Sequence, residues 1–389
     1  MTNSFIDTDK LFVANTYARF PIEIVKGNGP FVYDINGKEY IDLGTGIGVN
    51  AFGVGDEEWK TAVIEQLGKI QHASNLYFTK PCADLAKLLC DKTGMKKVFF
   101  GNSGAEANEC AIKVARKYAA DKKGVKYNTI ITLQNSFHGR TITTLSATGQ
   151  DVFHKHFTPL TEGFVYAKAN DIESVKELVK NNNVAGILIE CVQGEGGVIP
   201  LDKDFVKGVE TICRQEDIVF MIDEVQTGNG RTGELYAYMN YGVSPDVVST
   251  AKGLGGGLPI GACLMSEKVE KVLSFGDHGS TFGGNPVCCA GAISIINRLD
   301  KNFLAQVKEK GDYIFTTLKN IKGIESVSGL GLMIGIKTEK SAKEIVLKCM
   351  EKGVICLTAK DKVRLLPPLN IPMETLRKAI EIIKETVSG

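Results

Sequence analysis

The 389-residue chain has no excess of one charge: 46 Lys and Arg stand against 45 Asp and Glu, a net charge of +1. There is no global field to gather a polyanion and no acidic tail to repel one, so nucleic-acid binding is not expected. No uncharged apolar run reaches eighteen residues, and no membrane-spanning helix is expected either. The first ten residues carry two aspartates and lack the basic-then-apolar order of a secretion signal, which makes the cytoplasm the expected location. Among the ten cysteines no C-x-x-C pair occurs, and most have apolar neighbours. They read as small buried thiols in a reducing compartment, and no metal site is expected.

What is present is an ordinary globular composition, 43% hydrophobic and 23% charged. At about 150 residues per domain the length predicts two or three domains. Glycine is enriched at 42 residues, and the excess is clustered at 44–55, 194–197, 228–233, 253–261 and 279–284, a pattern that lets backbone approach a ligand closely.

Short apolar runs at 97–100, 129–133, 185–190, 218–223, 247–250 and 260–265 alternate with helical patterns at 106–120, 172–180 and 204–216. This predicts an α/β fold whose large domain holds a mostly parallel sheet with crossover helices. Ligands of such sheets sit beyond the carboxyl ends of the strands, and the unusual segments 101–105, 190–197, 223–226 and Lys252 all fall there. A smaller α+β unit is expected from both chain ends. It has short strands within 22–43, apolar runs at 331–336 and 363–366, helices near 342–352 and from Met373, and one long helix joining it after Asn285-Pro286. The expected division is 1–54 and 291–389 for the small domain and 55–290 for the large one.

Three segments carry chemistry. Ser103-Gly104-Ala105-Glu106 opens a helix after a strand; its free N–H groups suit a phosphate, although S-x-x-E is also a capping box that needs no ligand. Asp223 ends a strand, where a carboxylate can bind a metal, cap a turn or meet a cationic ring. Lys252 precedes the glycines 253 and 255–257, so the nucleotide motif G-x-x-x-x-G-K-[ST] is absent. The reading that uses all three is a pyridoxal 5'-phosphate site: lysine for a Schiff base, aspartate for the ring nitrogen, helix N-terminus for the phosphate.

Asn102-Ser103-Gly104-Ala105-Glu106-Ala107-Asn108-Glu109, Phe137-His138-Gly139-Arg140, Asp223-Glu224-Val225-Gln226-Thr227-Gly228, Ala251-Lys252-Gly253 and Gly279-Ser280-Thr281-Phe282-Gly283-Gly284-Asn285-Pro286 resemble the motifs of class III pyridoxal-phosphate aminotransferases, in order and spacing, across nearly the whole chain. Ser74-Asn75-Leu76-Tyr77, Gly194-Glu195-Gly196-Gly197 and Arg364-Leu365-Leu366-Pro367-Pro368 resemble the branch acting on acetylornithine. The resemblance implies the type I transferase fold and a homodimer with shared sites. It also implies transfer of the ω-amino group of N2-acetylornithine to 2-oxoglutarate, as in arginine biosynthesis. Related ω-amines (ornithine, succinylornithine, succinyl-diaminopimelate, 4-aminobutyrate) and an aminomutase reaction are the alternatives.

By position, the resemblance assigns the Schiff base to Lys252 and the ring-nitrogen contact to Asp223. Val225 and Phe137 would lie on the two ring faces and Gln226 at the ring hydroxyl, with Glu224 in the same cofactor group. Ser103, Gly104 and Ala105 would hold the phosphate, helped by Thr281 of the partner subunit. Arg140 would clamp the donor's α-carboxylate with Ser280 beside it, and Arg364 would bind the keto acid's, neutralised by Glu195 when no carboxylate is there. His138 and Glu190 receive no role, and His154 and His156 are expected to be solvated. Two departures from the family pattern stand out: the 50–59 loop lacks the usual histidine, and Cys191 replaces the usual proline.

Overall fold

The first three strands, β1 (Ile24–Asn28), β2 (Phe31–Asp34) and β3 (Glu39–Asp42), form an antiparallel meander whose turns fall at the Gly and Asn residues between the apolar runs. Residues 5–389 are described in this computed structural model. Met1 to Ser4, part of the stretch read for a secretion signal and of the 1–54 segment, lie outside the described residues.

The central sheet is built from β4 (Lys97–Gly101), β5 (Thr129–Leu133), β6 (Phe164–Ala167) and β7 (Val184–Ile189). After a two-residue hairpin of β8 (Val192–Gln193) and β9 (Ile199–Pro200), it adds β10 (Val219–Asp223), β11 (Val247–Thr250) and β12 (Gly261–Met265). Its order is β4-β12-β11-β10-β7-β5-β6. Strands β7, β10, β11 and β12 are buried along their whole length, which is why they read as short, mainly apolar runs. Every neighbouring pair is parallel except those involving β12, which runs antiparallel to both β11 and β4. The connection from β11 to β12 is too short to hold a crossover helix, so the chain reverses there. Lys252 sits in that reversal.

The C-terminal part forms a second sheet from β13 (Ile324–Leu330), β14 (Met333–Thr338), β16 (Leu357–Ala359) and β17 (Lys362–Leu365), ordered β13-β14-β17-β16. The remaining strand, β15 (Val354–Ile355), pairs in parallel with β3, so both chain ends contribute to one sheet. Two helices, Pro286–Arg298 and Lys301–Leu318, stand where one long helix was expected. The break is at Leu299-Asp300: Asp300 is extended, and its carboxylate accepts the Phe303 N–H at 2.8 Å, capping a new helix. Among the described residues no helix is long and apolar enough to cross a membrane. All ten cysteines are free thiols, eight of them buried.

Candidate active site

Strand β4 ends at Gly101, and the helix Gly104–Lys123 starts three residues later. Ser103 is extended and accepts the Glu106 N–H at 3.2 Å; Glu106 in turn accepts from Asn102 N at 2.9 Å and the Ser103 hydroxyl at 3.0 Å. Ser103 therefore caps the helix, with Glu106 reaching back to Asn102 instead of to the Ser103 N–H, and Gly104 and Ala105 of the first turn line a cavity of about 590 Å³. A Cβ on Gly104 would lie 2.6 Å from a methyl of Val225, so only glycine lets the helix end approach the wall.

Opposite the cradle, Asp223 ends β10. Its Oδ1 accepts the Val225 N–H at 2.9 Å; its Oδ2 accepts from Asn108 Nδ2 at 2.7 Å and lies 2.8 Å from His138 Nδ1. Asn108 also donates to the His138 carbonyl at 2.8 Å and receives the hydroxyl of Ser249, the register partner of Asp223 on β11, at 2.5 Å. Asn108 and His138 thus fix the carboxylate from behind. Sequence reasoning missed both; the available signal was an amide on the apolar face of an amphipathic helix, since Asn108 lies beside Ala107 and Ala111.

Lys252 follows β11 with a left-handed φ of 48° and opens a single 3-10 turn. Burial lowers the pKa of its amine, opposed by the facing carboxylates of Glu195 and Asp223. A buried lysine with a lowered pKa is a competent nucleophile. Glu190, at the end of β7, accepts from Phe137 N at 3.0 Å and Gly194 N at 3.4 Å, and burial pushes its carboxyl up to about 7.

The other wall carries an ion pair. Arg364 on β17 is 3% exposed, and its Nη1 donates to Glu195 Oε1 at 2.5 Å and to Gln226 Oε1 at 3.2 Å, while Gln226 Nε2 donates to Glu195 Oε1 at 3.3 Å. Burial works to raise the Glu195 carboxyl, but Arg364, Lys252 and Gln226 together hold it below its usual range. Arg140 differs: it stands exposed on the rim with its guanidinium over the rings of Phe153 (4.1 Å) and Phe137 (5.5 Å).

The structure thus gathers Ser103, Gly104, Ala105, Phe137, Arg140, Asp223, Val225, Gln226 and Lys252 around one cavity, with Glu195 and Arg364 adjoining through Gln226. Ser280 reaches this group through Asn102, whose amide donates to its hydroxyl at 3.1 Å. Thr281 is exposed and does not line the cavity of its own chain.

Glu224 and His154 require correction. The Glu224 side chain is absent from the cavity lining and accepts the Tyr238 N–H at 2.8 Å and the Thr227 hydroxyl at 2.5 Å, so the structure places it in the fold behind the site and not on the cavity wall. His154 is largely covered, with Nε2 2.9 Å from the Leu145 carbonyl, whereas His156 is exposed as expected.

Burial pushes Glu224 up to about 7 as well. A carboxyl whose folded pKa lies above its unfolded value stabilises the fold while protonated, and that contribution is lost as pH rises from about 4.5 to 7. Glu224→Gln keeps an acceptor for Tyr238 and removes the ionisation. Its melting temperature is expected to fall less between pH 5 and 8 than that of the parent, by an amount corresponding to at most about 3 kcal/mol. Thermal scans across that range check this; parallel curves for the two proteins would contradict it.

A family model described as class III aminotransferase matches residues 12–387. The chain belongs to the class III aminotransferases. Over 382 residues the aminotransferase is 49% identical to the acetylornithine aminotransferase of Haemophilus ducreyi, covering 98% of this chain and 97% of that one. It is 47% identical to that of Aquifex aeolicus, covering 96% and 99%. Among solved structures, the ornithine aminotransferase of Toxoplasma gondii superposes with a TM-score of 0.95 at 30% identity, covering 100% of this chain and 94% of that one. The N-acetylornithine aminotransferase of Stenotrophomonas maltophilia gives 0.86 at 32%, covering 98% of each. The fold is that of the type I pyridoxal-phosphate transferases.

Enzymes of this class depend on pyridoxal 5'-phosphate, and the aminotransferase has the donor set for it. A helix N-terminus whose first-turn residues Gly104 and Ala105 line the cavity suits the phosphate, a fixed carboxylate suits a ring nitrogen, and the cavity-lining Lys252 suits the aldehyde.

Proposed function

We propose that the aminotransferase moves the ω-amino group of N2-acetylornithine to 2-oxoglutarate, giving N-acetylglutamate 5-semialdehyde and glutamate. The observation that carries this reading is the unequal state of two arginines: Arg364 is masked by Glu195, while Arg140 has no anionic partner among the described residues. A donor with a single carboxylate docks at Arg140. A dicarboxylic keto acid engages Arg364 as well, once Glu195 swings away. The curated relatives named acetylornithine aminotransferases support the donor assignment. The likeness to the Toxoplasma ornithine enzyme favours ornithine as the second reading.

When bound, pyridoxal phosphate supplies an aldehyde that carries the amino group and a ring that draws electrons from the substrate carbon. Lys252 would hold the aldehyde through its Nζ and, when free, would carry the proton from the amine-bearing carbon of the donor to the cofactor carbon. Asp223 would hold a proton at the ring nitrogen, which would keep the ring cationic. Val225 and Phe137 would pack on the ring faces, Gln226 would meet the ring hydroxyl, and Ser103, Gly104 and Ala105 would hold the phosphate. Arg140 orients the donor through its α-carboxylate, with Ser280 alongside.

A homodimer completes the site through Thr281 of the partner subunit. Support comes from the surface around this loop. Asn75 Nδ2 donates to the carbonyls of Ser280 and Gly283, both at 2.9 Å, which places the exposed Leu76, Tyr77 and Phe78 next to the exposed Phe282. Ten unpaired thiols accord with work in the cytoplasm.

The test is the visible spectrum of the purified enzyme. Addition of N-acetylornithine without keto acid should bleach the yellow band, and 2-oxoglutarate should restore it. A band that persists with N-acetylornithine but bleaches with ornithine would move the assignment to the second reading. Glu195→Gln is expected to leave Arg364 unmasked, lowering the KM for 2-oxoglutarate and raising that for the donor about tenfold. Steady-state kinetics with each substrate varied in turn decides this, and unchanged constants would remove the masking role.

A further inference from the structure

Arg140 poses a physical problem. A guanidinium that must receive a substrate carboxylate cannot be held by a carboxylate of its own chain without competing against the substrate. Left free, a long exposed side chain loses substantial rotamer entropy each time it is fixed on binding. The chain solves this with an aromatic ring. Phe153 lies 4.1 Å from the Arg140 guanidinium carbon and meets Phe137 edge-on, with centroids 5.9 Å apart and planes at 81°. A ring attracts the cation through its π-face and takes none of its N–H donors, so the planar fork stays available for two parallel bonds to a carboxylate.

Phe153 is itself fixed. It belongs to the short helix Asp151–His154, where its N–H donates to the Gln150 carbonyl at 3.0 Å. Gln150 Nε2 donates to the Ser136 carbonyl at 3.0 Å, and His154 is tied to Leu145. The same segment exposes Val152 (74%) and Phe157 (54%) while Phe153 is turned toward the rim.

We infer that Phe153 is a positioning residue for Arg140, holding the guanidinium on its ring so that the free N–H edge meets the donor's carboxylate. This rests on the reading of Arg140 as the donor clamp. It predicts that Phe153 governs carboxylate-bearing donors and leaves the handling of simple amines alone.

The experiment uses the full-length holoenzyme and three variants: Phe153→Leu, which keeps apolar volume but loses the π-face; Phe153→Tyr, which keeps it; and Arg140→Lys. For Phe153→Leu the donor KM should rise about tenfold with kcat changed less than twofold, and Phe153→Tyr should restore the parent KM. Bleaching of the cofactor band by butylamine, which has no carboxylate, should proceed at the parent rate in both Phe153 variants. If Arg140→Lys raises the donor KM and Phe153→Leu does not, the positioning role is overturned. Equal losses toward butylamine and the amino-acid donor would reduce Phe153 to a packing residue. An Arg140→Lys variant with an unchanged donor KM would bring down the clamp reading itself, and the inference with it.

Discussion

Lys252→Ala is expected to abolish turnover, by at least about 10⁴-fold, while the protein stays folded, because on the proposed reading one side chain both attaches the cofactor and moves the proton. The fold should tolerate the change. No hydrogen bond among the described residues involves the lysine amine, and its burial opposes the charged form, so removing it relieves a desolvation cost. Two readouts separate chemistry from folding. Borohydride reduction should add the mass of the cofactor to the parent protein and not to the variant, and the melting temperatures of the two apoproteins should agree within a few degrees. Retained steady-state activity would refute the assignment.

Asp223→Asn carries the second largest expected effect. The substitution keeps the shape of the side chain but removes the negative charge that Asn108, His138 and the Val225 N–H converge on. On the proposed reading, losing that charge would let the ring nitrogen lose its proton and weaken the ring's pull on the substrate carbon. The rate of band bleaching by the donor should drop about 10²–10³-fold, within the range for losing one fixed electrostatic contact to a transition state. Proton abstraction should then limit the rate, so a donor deuterated at the ω-carbon should show a larger isotope effect than with the parent enzyme. The fold loses less, about 1–3 kcal/mol for one mismatched buried contact, since the amide nitrogen now faces a donor. A bleaching rate equal to that of the parent would contradict the role given to the carboxylate.

These two residues were legible because strand ends are legible. Asp223 closes and Lys252 follows a fully buried strand, and such strands read as short, mainly apolar runs whose ends are easy to place. Where burial is partial the signal fades: the edge strand Phe164–Ala167 is only four residues long, exposes part of three of them, and went unread. The break at Leu299-Asp300 lay hidden in a continuous helical pattern, because one aspartate serves equally as an exposed helical residue and as a cap.

Partners distant in the chain were harder still. Asn108 reaches Asp223 across 115 positions, and no local periodicity encodes that meeting. The Glu195–Arg364 pair spans 169 positions and was anticipated only through the family resemblance. Glu224 was misplaced for a local reason. It adjoins Asp223 in the sequence, but past the strand end the next side chain turns toward Tyr238 instead of into the cavity.

The pairing of β3 with β15 has a consequence for how the chain is made. Ile41 and Asp42 emerge from the ribosome 313 residues before Val354 and Ile355, which complete their sheet. At roughly 5–20 residues per second the nascent β1-β2-β3 meander waits on the order of half a minute with one edge open. During that interval Tyr40 and Ile41, buried in the finished protein, have no cover from the C-terminal segment. An open apolar strand edge is a template for pairing with other chains. Crowded expression at high temperature should therefore drive this protein into aggregates through its N-terminal meander, and holdase chaperones that bind nascent chains should matter most before residue 354 is translated.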